Sequence, residues 1–116
     1  MISKDVKDAW IAALRSGRYE QAEGAMARET PDGQRCYCAL GVLADIIDPC
    51  GWSPDEEMHG SYLTHTLARN DYAYLNEDVL PIEVQQQLAD LNDCELACLA
   101  SIASWIDANV AAEVAP

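Results

Sequence analysis

QRCYCALGVLADIIDPC, residues 34–50, holds three of the chain's five cysteines, two of them one residue apart. Three readings compete for it: a metal site, a nucleophile at the head of a helix, or a strand running into a buried helix. A zinc site needs three or four ligands, usually in C-x(2–4)-C pairs. Cys36 and Cys38 are spaced more tightly than that. Cys94 and Cys98 lie one helical turn apart, and His59 and His65 would have to complete the set. Cys94 and Cys98, however, fall beside an apolar stripe, and free cysteine is among the most buried residue types. The spacing therefore predicts no metal and no cofactor.

As a nucleophile, Cys38 would sit at the N-terminus of a helix over 39–48, where the helix end lowers a thiol pKa. His65 with Asn70 or Asn76 would supply the base and its orienter, in the chain order of papain-like enzymes. The segment between Cys38 and His65 is too short for the sheet that usually positions such a histidine. The remaining reading is packing. Cys36 and Cys38 alternate across a strand, and ALGVLADIID forms a short helix with Leu40, Leu43, Ile46 and Ile47 on one stripe.

Outward from this stretch the signals are local. Ser3 caps a helix beginning at Lys4, with Val6, Trp10 and Leu14 on one face and Gly17 ending it. TPDG at 30–33 is a strong turn, which predicts a hairpin with arms at about 22–29 and 34–38. Residues 49–60 read as loop. Residues 61–80 are open between a short helix with a loop and a second pair of strands. Pro81 starts a helix with Val84, Leu88 and Leu91 inside. Asn92, with Glu95 three residues on, has capping-box spacing for a final helix. There Leu96, Leu99, Ile102, Ala103, Ile106 and Val110 make a broad apolar face, widened by Cys94, Cys98, Ser101 and Trp105, and this helix is expected at the centre of the core. The expected fold class is α+β: a mostly helical single domain over 1–116 with a small antiparallel β-hairpin.

The chain has 116 residues and a formal net charge of −13. Residues 1–35 carry six basic and six acidic residues, whereas residues 36–116 carry Arg69 alone against fourteen acids. A field of that sign repels nucleic acid and attracts basic surfaces. No apolar leader and no run of membrane-span length is present, so a cytoplasmic protein with reduced thiols is expected. There is no glycine-rich phosphate loop or nucleophile elbow. The acidic run Asp55, Glu56, Glu57 lacks the ligand periodicity of a calcium loop and reads as a solvated loop.

Trp10, ALRSGRYEQAEGAM from 13, CYCALGVLADI from 36, GW at 51, LP at 80 and LNDCELACLASIASWI from 91 follow one another in an order that resembles a family of small tailed-phage and prophage proteins. The likeness covers most of the chain outside about 53–78. In this chain the family's doubled cysteine is opened to Cys-Tyr-Cys, Ala44 replaces a later cysteine, and Cys94 stands where a glycine is common. The resemblance implies a setting, phage against host, rather than a reaction.

Charge and setting together predict a small acidic accessory protein that is not an enzyme. It would bind and inhibit a host defence protein by filling its basic, nucleic-acid-binding surface, as anti-CRISPR proteins do. Asp55, Glu56, Glu57, Asp71, Glu77 and Asp78 are the expected binding carboxylates, and Trp52, Tyr72 and Tyr74 the aromatic anchors. The alternatives are a thiol enzyme using Cys38 and a structural, self-associating phage protein. The oligomeric state and the identity of the partner are open.

Overall fold

The structure, a computed structural model, describes residues 2–22, 25–54, 62–68, 74–94 and 97–112. Among these the order is helix α1 (Lys4–Arg15), strands β1 (Glu20–Gln21), β2 (Ala27–Glu29) and β3 (Arg35–Tyr37), helix α2 (Ala39–Ile47), strands β4 (Trp52–Pro54) and β5 (Tyr62–His65), and helices α3 (Ile82–Asn92) and α4 (Leu99–Asn109). The fold is a small α+β arrangement with a mixed sheet in the order β1-β3-β2-β5-β4.

The expected hairpin is present as β2 and β3, paired antiparallel with Arg28 opposite Cys36. Its turn is the one the sequence announces. Thr30 N–H donates to Gln34 O at 2.7 Å, Gly33 N–H donates to Thr30 O at 2.9 Å, and Gly33 takes the left-handed φ of 88° that glycine tolerates. The hairpin does not stand alone, however. β1 joins β3 in parallel, β5 joins β2, and β4 closes the far edge. The β component is thus larger than expected, and the region expected as loop, 49–60, contributes strand β4. Of the two options for 61–80, Tyr62–His65 takes the strand.

Helix α1 forms as its signals dictate. Ser3 Oγ accepts from Val6 N–H at 3.2 Å, Gly17 leaves the helix at φ 77°, and Trp10 and Leu14 are buried. Lys7 Nζ reaches across to the carbonyls of Asp107 (3.2 Å) and Val110 (2.6 Å). A cation thus sits at the C-terminal, partly negative end of α4.

Helix α2, rather than α4, is the most enclosed element. Residues 39–44 are all buried, and none carries a polar side chain that would resist enclosure on every side. Trp10 Nε1 donates to Ala39 O at 2.8 Å, which fastens α1 to the head of α2. Ile47, expected on the inner stripe, is 39 % exposed because it lies past the point where α2 leaves the core. Cys38 is not on the strand. It is the N-cap of α2, with its sulfur accepting from Gly41 N–H at 3.4 Å.

The α3–α4 region departs most from expectation. Asn92 is the last residue of α3 and is buried. Helix α4 begins at Leu99, where Ser101 Oγ accepts from Cys98 N–H at 3.0 Å. Leu99, Ile102, Ala103, Ile106 and Val110 are buried as expected, but Cys94 and Cys98 are exposed. They lie in the connection outside both helices, so neither widens the apolar face. Near the start of α3, Gln85 is fully buried. Its side-chain amide bonds Leu75 N–H (2.7 Å), Leu75 O (2.8 Å) and Leu80 O (2.9 Å), holding the incoming chain as a strand partner would.

Candidate functional site

Trp52, expected as an interface anchor, is turned inward on β4. It is half-buried, and its Nε1 donates to Asp45 Oδ1 at 3.0 Å. Its ring meets Tyr37 edge-on at 5.7 Å and His65 at 4.6 Å. Tyr19 completes the cluster, donating to Asp45 Oδ2 at 2.7 Å and packing edge-on to Tyr37 at 5.1 Å. Burial pushes the Tyr19 phenol up to about 12, and the Asp45 carboxylate it donates to adds to the rise. A raised folded-state pKa means that this group's contribution is intact below the unfolded value of about 10 and is lost as pH climbs to about 12. Tyr19→Phe is therefore expected to flatten the alkaline end of a stability–pH curve between those values. An unchanged curve would remove the Asp45 contact from the account.

His65 belongs to the same cluster. Its Nδ1 accepts from Leu67 N–H at 3.0 Å, and the Asp48 carbonyl lies 2.8 Å from Nε2. These partners place the proton on Nε2 and leave neither nitrogen to take a proton from a thiol. Cys38 is 8 % exposed, and burial pushes its thiol up to about 11, outweighing the helix-end hydrogen bonds that pull it down. Both facts weigh against the Cys38–His65 reading. Among the described residues, no three of His, Cys, Asp and Glu come together in a group fit to hold a metal ion.

Tyr74 is half-buried against the core, beside Cys38 and Asn92 on a cavity of about 200 Å³. Glu77 and Asp78 are exposed in the turn before α3. Asp55, Glu56, Glu57, Asp71 and Tyr72 lie outside the described residues.

What sequence reasoning missed is the outer face of α3. Glu83, Asp90 and Asp93 are exposed there, while Leu88, Gln85 and Asn92 are buried behind them. Glu83 and Asp90 are two turns apart, roughly 10 Å along the axis. None of the three has an ion-pair partner among the described residues, where the pairs are Lys4–Asp8 and Arg35–Glu29. The helix period of 82–92 carries this signal, since the carboxylates fall opposite Leu88. The bases are spent elsewhere: Lys7 on α4 carbonyls, Arg28 stacked 4.8 Å above the Tyr62 ring, and Arg35 on Glu29. Arg28 and Cys36 also line a cavity of about 570 Å³ on the sheet's outer face.

A family model described as a domain of unknown function (DUF8296) matches residues 2–103, most of the chain. The chain belongs to that family. The match runs from the Ser3 cap through the sheet into α4, so the DUF8296 unit includes the whole described sheet and the acidic face of α3. No curated protein and no solved structure matches the chain. No helix among the described residues is long and apolar enough to cross a membrane.

Proposed function

We propose that this protein acts by binding: a phage-type accessory protein whose acidic face occupies the basic, nucleic-acid-binding surface of a host defence protein and blocks it. The observation that carries this reading is the tract of exposed carboxylates Glu83, Asp90 and Asp93 on α3, in a stretch where no Lys or Arg follows Arg69. A mimic of nucleic acid needs its charges on a stiff frame. Gln85 and Asn92 supply it by bonding the buried side of the same helix to the chain around it. Glu77 and Asp78 extend the tract at its N-terminal end. Rim charges of this kind steer association more than they add affinity, so binding should be fast at low salt and fall as salt rises.

The test is the triple variant Glu83→Lys, Asp90→Lys, Asp93→Lys. All three positions are exposed, so the variant should fold. Its affinity for a partner recovered from host lysate is expected to fall at least about tenfold, equivalent to roughly 1.4 kcal/mol. DNA or RNA should compete with the wild-type protein for that partner. A folded triple variant that binds like wild type, with no salt dependence, would leave the acidity as a solubility feature.

A further inference from the structure

A row of side chains crosses the outer face of the sheet. Strand register sets Tyr62 on β5 opposite Arg28 on β2, Arg28 opposite Cys36 on β3, and Cys36 beside Glu20 on β1. Side chains opposite one another in a sheet share a face. The adjacent Ala27 and Leu63 point the other way and are buried, so the row looks out from the core. The Arg28 guanidinium lies 4.8 Å from the Tyr62 ring centroid. The ring takes one flat side of the fork and leaves its N–H edge open. Among the described residues no hydrogen bond or ion pair uses that edge, whereas Lys4, Lys7, Arg15, Arg18 and Arg35 each have an acceptor. Arg28 and Cys36 line the same cavity of about 570 Å³, a size that suits a small organic molecule. Ala22 and Pro31 give it apolar wall, and Glu29, the carboxylate on its lining, is held by Arg35 Nε at 3.3 Å.

We propose that this cavity binds a small organic monocarboxylate, with its apolar body against Ala22 and Pro31 and its carboxylate on the Arg28 fork beside Cys36. A carboxylate matches the fork with two parallel N–H···O bonds. The single charge follows from the rest of the molecule. A net charge of −13 repels a phosphate dianion or a nucleic acid more strongly than a monoanion. Glu20, at the far end of the row, adds to that repulsion. The Tyr62 ring already holds the guanidinium, so less side-chain freedom is lost on binding.

The probe is a pair of thiol reagents of nearly equal size, iodoacetate and iodoacetamide. With either, a sulfur–carbon bond forms as iodide leaves with the bonding pair. Both consume the same thiolate, so the ratio of their rates cancels how ionised the thiol is and reports recognition of the reagent's charge. Peptide mass maps of the whole chain give this ratio at Cys36, which is half-buried, and at Cys50, which is exposed. At Cys50 the acidic field should disfavour iodoacetate. The ratio of iodoacetate to iodoacetamide at Cys36 is expected to be at least about tenfold higher than at Cys50, the scale of one hydrogen bond to a charged group. Arg28→Met, which keeps the stem without the fork, should bring the Cys36 ratio down to that of Cys50. Benzoate should slow iodoacetamide at Cys36 and leave Cys50 unaffected, whereas benzyl alcohol should slow neither. A wild-type Cys36 ratio no higher than that of Cys50 would overturn the proposal. So would a Cys36 that neither reagent reaches in the folded protein, or benzyl alcohol protecting as well as benzoate. The wild-type ratio decides even if the Arg28 variant misfolds.

Discussion

Gly41→Ala is expected to destabilise the protein by about 3 kcal/mol or more, at the upper end for overpacking. On an isolated helix the same change would be favourable by about 1 kcal/mol, because alanine is the better helix former. Tertiary contact reverses the sign. A Cβ at Gly41 would overlap the Met26 carbonyl oxygen and lie 2.8 Å from its carbonyl carbon. The obstacle is backbone, and that backbone is fixed: Met26 O accepts from Cys38 N–H at 2.9 Å, and both Met26 and Ala27 are fully buried. Relief would require lifting the β2 end of the sheet off α2. Gly17→Ala is the control. It meets nothing within 4 Å and suffers only its φ of 77°, a penalty of about 1–2 kcal/mol. Denaturant unfolding of the pair should therefore rank Gly41→Ala well below Gly17→Ala. A Gly41→Ala protein as stable as wild type would mean that β2 does not press on α2 as described.

The elements legible from sequence were those whose cause is local. Ser3, Gly17, TPDG and Pro81 each act within a turn or two, and each marks a boundary in the structure. β4 and β5 were not legible, because strands of three and four residues are too short to show a period. The place of β5 is set instead by pairing with β2, more than thirty residues earlier, and that of β4 by pairing with β5. Cys94 and Cys98 belong to an apolar face only if one helix runs through both; in the corner the same residues face solvent. For the candidate site, the charge split was legible from composition alone. Which carboxylates stand on a rigid frame was not, since that depends on which side of α3 is buried. Trp52 shows a related limit. An indole beside an acidic loop suggests an anchor, but its N–H finds Asp45 within the same molecule.

Asn92 separates the local reading from the tertiary one most sharply, and its variants should show large effects. As a helix cap on the surface it would tolerate aspartate with almost no loss, because Asn and Asp cap equally well. In the structure it is 1 % exposed and joins three elements. Its Nδ2 donates to Ala22 O at 2.6 Å, beyond the end of β1. Its Oδ1 accepts from Ala39 N–H at 3.2 Å, at the head of α2, and from Gln21 Nε2 at 3.4 Å. Asn92→Leu fills the space but leaves the Ala22 carbonyl and the Ala39 amide buried without this partner, at about 1–3 kcal/mol for each group. Asn92→Asp keeps the acceptor for Ala39 N–H and gains from the positive end of α2. It also sets a carboxylate oxygen against the Ala22 carbonyl, in a site too enclosed for water to screen the repulsion. Both variants are expected to lose several kcal/mol in denaturant unfolding, with neither close to wild type. An Asn92→Asp protein within about 0.5 kcal/mol of wild type would match the capping role and would break the junction that ties β1, α2 and α3 together.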